Sequence, residues 1–77
     1  MVLFHCTNLA LLQKYIESGQ IDNPVRAWRT LAGAVRFSKQ TDRKIILRLA
    51  ARKDFRQLGG HQNEALVSDR PYRLENL

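Results

Sequence analysis

The spacing of hydrophobic and polar residues along the chain predicts four strands. Residues 2–6 form a first short apolar run, and residues 25–28 form a second one after a turn. Residues 44–49 predict the clearest strand. Their side chains alternate between an apolar face and a face that carries two basic residues. Residues 64–67 predict the last strand, after a pair of glycines.

Two further segments carry apolar residues at helical spacing. The first begins after Thr7 or Asn8, whose side-chain oxygens can accept an orphan backbone N–H, and ends at Gly19, a residue suited to a left-handed stop. The second begins after Thr30, and residues 50–58 predict a short helical turn or a loop. The predicted core consists of Leu9, Leu12, Ile16, Leu31, Val35, Ile45, Leu47 and Leu49.

The element order β-α-β-α-β-(α)-β predicts an α+β fold of about four strands and two to three helices. A length of 77 residues fits one domain, 1–77, with a small core. The N-terminus has neither a basic region nor a long apolar run, and no segment has the length of a membrane span, so we expect a cytoplasmic protein with no membrane partner. The lone Cys6 excludes an intramolecular disulfide and is expected to be a small buried apolar residue.

Charge adds a prediction about partners. The chain has a formal net charge of +6, and residues 26–56 hold ten basic and two acidic side chains, a local balance of +8. Such a field attracts a nucleic acid, a nucleotide pyrophosphate or an acidic protein, although basic residues can also serve only to keep a small protein soluble. The candidate anion-binding residues are Arg29, Lys44, Arg48, Arg52, Lys53 and Arg56.

Candidate chemistry is concentrated at two strand ends. The chain has no Walker loop, no dinucleotide-binding glycine motif and no zinc-ligand spacing, so no metal is expected. His5 lies near the end of the first predicted strand and Glu64 at the start of the last, and such residues can meet across a sheet. Alternatively, His5 is a hydrogen-bonded sheet residue and Glu64 a solvated one. His61 is expected to be a loop residue rather than a ligand.

Four short motifs follow one another in an order found in a known superfamily. They are Phe-His-Cys-Thr-Asn (4–8) with Gly-Gln-Ile (19–21); Val-Arg-Ala-Trp-Arg-Thr-Leu (25–31) with Ala34 and Phe37; Lys-Ile-Ile-Leu-Arg-Leu (44–49); and Asn-Glu-Ala-Leu-Val (63–67) with Pro71 and the final Leu-Glu-Asn-Leu. Over nearly the whole chain this order resembles the ADP-ribosyltransferase superfamily in its His-Tyr-Glu form. The nearest resemblance is to RNA 2′-phosphotransferases and to DNA-targeting ADP-ribosyltransferase toxins.

The resemblance implies a split-sheet α+β fold that binds NAD in a cleft between His5 and Glu64. It implies that His5 bonds the adenosine ribose, with Thr7 nearby. It also implies that Glu64 bonds the nicotinamide ribose and stabilises positive charge that develops there, as a preorganised carboxylate can. Arg26, Arg29 and Arg48 are candidates for the pyrophosphate. The implied activity is transfer of ADP-ribose, or action on a phosphate, with a nucleic acid or protein as acceptor.

Two features depart from the superfamily pattern. Arg26 occupies the place of the usual Tyr or His of the middle motif, and Trp28, which shares its strand face, is an alternative aromatic surface or else a core residue. Only about twenty residues separate the first and middle motifs. The chain is therefore a minimal enzyme, a truncated domain or an inert scaffold. The alternative function is a non-enzymatic basic module that binds nucleic acid or an acidic protein through residues 26–56.

Overall fold

The computed structural model of the protein describes residues 1–60 and 64–76, so His61 and Asn63 lie outside the described residues. The helices are α1 (Leu9–Ser18) and α2 (Leu31–Gln40). The strands are β1 (Val2–Thr7), β2 (Gln20–Ile21), β3 (Val25–Trp28), β4 (Ile45–Ala50), β5 (Arg56–Gln57), β6 (Ala65–Ser68) and β7 (Tyr72–Arg73), and a short 3-10 helix spans Leu74–Asn76.

The strands form two antiparallel sheets. The larger has five strands in the order β4-β1-β3-β6-β5, and the smaller pairs β2 with β7. The predicted α+β class is confirmed, and each of the four predicted strands forms within one residue of its expected bounds. The strands β2, β5 and β7 were not predicted, because two residues are too few to show an alternating pattern.

The centre of the larger sheet is split between β1 and β3. Strand β1 pairs with β4 at six positions, from Val2↔Ala50 to Thr7↔Ile45. It pairs with β3 only at Phe4↔Trp28. Because side chains alternate along a strand, this pairing places Phe4 and Trp28 on one face of the sheet and His5 on the other.

Both helices begin as the sequence predicts. The Asn8 side chain accepts a hydrogen bond from the backbone N–H of Leu11 at 2.9 Å, and Thr30 Oγ1 accepts one from Gly33 N at 3.1 Å. Helix α1 ends at Gly19, whose φ of +79° is left-handed. Within the described residues, neither helix has the length and apolar character needed to cross a membrane.

The core differs from the prediction at two positions of α1 and at the start of α2. The predicted core residues Leu9, Ile16 and Leu31 are exposed, at 72%, 65% and 53%. Helix α1 instead turns Tyr15 into a cluster that also contains the buried residues Ile21, Val25, Leu49 and Tyr72. Leu11 and Leu12 pack against this cluster, and the buried Tyr15 hydroxyl has a polar partner there in His5.

The rest of the predicted core is wholly or partly buried. Leu49 is fully buried, and Leu12 and Leu47 pack against the Tyr15 cluster. Val35 and Ile45 are half-buried. A second cluster consists of Leu3, Ala27 and Leu66, from three strands of the larger sheet, and the partly buried Phe55 packs against it.

Candidate functional site

A cavity of about 540 Å³ opens where β1 and β3 separate. Its walls come from β1, β3, both helices and the start of β6. Trp28 and Phe37 supply an aromatic pair with ring centroids 5.6 Å apart. This volume lies within the usual range for small-molecule sites, roughly 300–1,000 Å³.

His5 bridges the split in the sheet. Its Nδ1 lies 2.6 Å from the backbone carbonyl oxygen of Arg26, and its Nε2 lies 3.3 Å from the Tyr15 hydroxyl. Burial lowers the pKa of His5, as does the positive charge of Arg43, while the hydrogen bond to the Arg26 carbonyl acts in the opposite direction. His5 is therefore a neutral, hydrogen-bonded residue that lines the cavity.

Tyr15 is one of the cavity residues that the sequence analysis missed. It is buried on α1, and its ring lies 5.8 Å from that of His5, at 48° to it. The available signal was its spacing of four residues from Leu11, which also lines the cavity. A buried tyrosine on that stripe needs a polar partner for its hydroxyl. The strand predicted just before the helix contains His5, so the sequence offered a partner for Tyr15.

Cys6 and Thr7 follow His5 in β1 but have different environments. The Cys6 thiol donates a hydrogen bond to the carbonyl oxygen of Ala34 on α2 at 3.3 Å, and burial raises its pKa. Cys6 is thus buried and protonated, which confirms the prediction of a structural cysteine. Thr7 is fully buried and does not line the cavity, and its Oγ1 has no hydrogen-bond partner among the described residues.

Glu64 lies beside the cavity without lining it. Its Oε2 accepts a hydrogen bond from Arg36 Nη2 at 2.7 Å, which ties the carboxylate to α2. A Cβ atom at Gly33 would lie 2.9 Å from this carboxylate oxygen and 2.9 Å from the Trp28 ring. The predicted pair is therefore only half assembled: His5 reaches the cavity, and Glu64 is held behind Trp28 against the first turn of α2.

Three cationic side chains line the cavity among the described residues: Lys14, Arg26 and Arg43. Among the residues that the structure describes, Asp22 is the one acidic side chain that lines the cavity. Arg26 was predicted, whereas Lys14 and Arg43 were not. They come from α1, β3 and the segment after α2, so their convergence depends on tertiary structure. The surplus of positive charge suits an anionic ligand.

Arg52 has a role that the sequence did not indicate. Its guanidinium donates to the Pro71 carbonyl oxygen at 2.7 Å and to Ser68 Oγ at 3.0 Å, and it pairs with Asp54 at 3.0 Å. It also lies over the Tyr72 ring, 4.9 Å from the centroid. We call Arg52, Asp54 and Ser68 the Arg52 cluster. These contacts occupy the guanidinium within the protein, so Arg52 is not placed as a free anion-binding side chain.

The other predicted anion-binding residues lie on the surface. Arg56 pairs with Asp69 at 3.4 Å, and Lys44 donates to the Ser38 carbonyl oxygen. Arg29, Arg48 and Lys53 are exposed. None of the six lines the cavity among the described residues.

No group of three or more His, Cys, Asp or Glu side chains in the described ranges is arranged to hold a metal ion. Comparisons of the chain with protein-family models, with curated proteins and with solved structures found no match. The resemblance to ADP-ribosyltransferases therefore rests on the four sequence motifs, and the function has to be argued from the cavity itself.

Proposed function

We propose that the protein binds an NAD-type dinucleotide in the cavity between β1 and β3 and transfers its ADP-ribose to an acceptor. The observation that carries the proposal is the combination of a neutral histidine with three cations and an aromatic pair in one cavity. A dinucleotide has the matching chemistry, because it contains ribose hydroxyls, a pyrophosphate and two flat bases.

The lining residues fit such a ligand in separate ways. Lys14, Arg26 and Arg43 can neutralise the pyrophosphate, and arginine suits it because its guanidinium offers paired donors. Trp28 and Phe37 offer a surface on which a base can stack. His5 and Tyr15 lie together and line the same cavity from the other face of the sheet, where a ribose hydroxyl can reach them.

Transfer additionally requires a carboxylate near the bond that breaks. The bond between ribose C1′ and nicotinamide breaks, its electron pair leaves with nicotinamide, and an acceptor nucleophile bonds to C1′ and loses its proton. Glu64 is the candidate that stabilises the positive charge on the ribose. In this proposal its carboxylate leaves Arg36 and turns past Trp28 when the ligand binds, and the 54% exposure of the Arg36 side chain allows that exchange.

Thermal denaturation with increasing NAD tests binding separately from transfer. A ligand at a hundred times its Kd stabilises the native state by about 2.7 kcal/mol. For a domain of this size this corresponds to a rise in Tm on the order of 10–20 °C. We expect Glu64→Gln to keep the rise and to lose release of nicotinamide. An unchanged Tm at millimolar NAD would overturn the proposal.

A further inference from the structure

The hydrogen bonds between His5, Tyr15 and the Arg26 carbonyl determine where their protons lie. A carbonyl oxygen can only accept, so the proton of this bond belongs to His5 Nδ1. The imidazole is neutral, because burial and the charge of Arg43 lower its pKa against the opposing effect of the hydrogen bond to the Arg26 carbonyl. Nε2 therefore carries a lone pair and no proton.

The Tyr15 hydroxyl must then be the donor to Nε2. Its oxygen lies 3.3 Å from that nitrogen, and an unprotonated nitrogen can only accept. Both polar hydrogens of the His5–Tyr15 pair are consequently donated within the protein. The hydrogen on His5 Nδ1 is donated to the Arg26 carbonyl oxygen, and that of the Tyr15 hydroxyl is donated to His5 Nε2. Toward the cavity the pair presents only the lone pairs of the tyrosine oxygen.

We propose that Tyr15 is a positioning residue that holds His5 in one tautomer, and that the His5–Tyr15 pair selects ligands with a ribose hydroxyl able to donate a hydrogen bond. The choice of ligand class rests on the proposed function, whereas the tautomer does not. A ligand group that can only accept finds no proton at this pair, and a ligand without the hydroxyl leaves the tyrosine oxygen unpaired.

Nitrogen NMR of the ligand-free protein tests the tautomer directly. We expect His5 in the wild-type protein to carry its proton on Nδ1 and to show a hydrogen-bonded, unprotonated Nε2. In Tyr15→Phe the Nε2 signal should move toward the position of an imidazole nitrogen that accepts no hydrogen bond. A proton on Nε2 in the wild-type protein would overturn the proposal even if the variant did not fold.

Tyr72→Phe is the matched control. The hydroxyl of the buried Tyr72 also donates a hydrogen bond, to the Ala50 carbonyl oxygen at 2.9 Å, and Tyr72 does not line the cavity. Its removal should cost comparable stability and leave the His5 signals unchanged. An equal change of the Nε2 signal in the two variants would show that Tyr15 has only a structural role.

Titration with NAD and with analogues that lack one ribose hydroxyl at a time tests the selectivity. The analogue that lacks the hydroxyl bonded to Tyr15 should bind the wild-type protein and Tyr72→Phe on the order of tenfold more weakly than NAD does. Tyr15→Phe should bind that analogue and NAD with nearly equal affinity. The same loss in all three proteins would overturn the selectivity. If NAD itself fails to bind, the proposed function fails, and the NMR result still decides the role of Tyr15.

Discussion

The His5–Tyr15 pair and the Arg52 cluster are two partly buried polar groups on the same small fold, and they differ in what surrounds them. The Arg52 guanidinium donates to the carbonyl oxygens of Pro71 and Arg70 and lies over two aromatic rings, so its contacts are to the protein. The His5–Tyr15 pair has protein on one side and a cavity on the other. A closed cluster of this kind stabilises the fold, whereas an open one is available to a ligand.

The basic residues show the same difference. Arg26 and Arg52 belong to one basic stretch of the sequence, yet Arg26 lines the cavity and Arg52 is enclosed by residues of the C-terminal part of the chain. Charge along the chain indicates a class of ligand, but only the tertiary partners show which cations remain available for it.

The largest expected effect comes from opening the Arg52 cluster. Arg52→Ala removes the cationic partner of the Asp54 carboxylate, one of the donors to Ser68 Oγ, and the guanidinium donor to the Pro71 carbonyl oxygen. We expect a loss on the order of 3 kcal/mol in the free energy of unfolding, measured by urea denaturation. Lys53→Ala, at the exposed neighbouring position, should change it by less than about 0.5 kcal/mol. Equal effects of the two substitutions would show that the cluster does not stabilise the fold.

The next effect concerns the rim of the cavity. Alanine normally stabilises a helix by about 1 kcal/mol relative to glycine. At position 33, however, the added Cβ would meet Glu64 and Trp28 at 2.9 Å. Overpacking of this kind costs roughly 1–3 kcal/mol, so Gly33→Ala should destabilise the protein and shift the fluorescence of Trp28. A variant that melts above the wild-type protein would contradict the close approach of the Trp28 ring to Gly33.

The His5–Tyr15 pair and the Arg52 cluster should affect the stability of the protein in two different pH ranges. The pKa of His5 is lowered from its usual 6.5, so the unfolded chain binds more protons than the native protein just below that pH. The contribution of His5 to the free energy of unfolding should be fully present above about pH 6.5 and should decrease as the pH falls toward the lowered pKa. His5→Gln should flatten this part of a curve of unfolding free energy against pH. A curve with the same slope in the variant would show that His5 does not titrate as inferred.

Asp54 should act in a lower pH range. The hydrogen bond from Ser68 is the main cause that lowers its pKa from 3.8, and Arg52 contributes in the same direction. Its stabilising contribution is present above 3.8 and is lost as the pH falls through the lowered pKa. Asp54→Asn should change the acid limb below 3.8 and leave the region near 6.5 unaffected. A change confined to the higher range would contradict the assignment.

The smallest effect is expected on the exposed side of α1. Ile16→Ala should change the free energy of unfolding by less than about 0.5 kcal/mol, because the side chain is largely exposed. Leu12→Ala should cost clearly more, since Leu12 packs against the Tyr15 cluster. Urea denaturation of both variants distinguishes the observed orientation of α1 from the predicted one, in which Ile16 belongs to the core.

Local patterns predicted the helices, their caps and the four longer strands, because these depend on residues close in sequence. The β1 motif also identified His5 as a residue of the site. Tyr15, Lys14 and Arg43 were missed because their approach to the cavity depends on how α1 and the segment after α2 pack on the sheet. Glu64 was predicted at the correct strand end, but the sequence does not show that Arg36 holds its carboxylate away from the cavity.

Calorimetric titration of the protein with NAD tests the central claim most directly, with two neighbouring arginines as the comparison. Arg26 lines the cavity, and Arg29 is exposed outside it. We predict that the wild-type protein and Arg29→Ala bind NAD with the same affinity and that Arg26→Ala binds it on the order of tenfold more weakly. No binding to the wild-type protein, or an equal loss in the two variants, would contradict a dinucleotide site between β1 and β3.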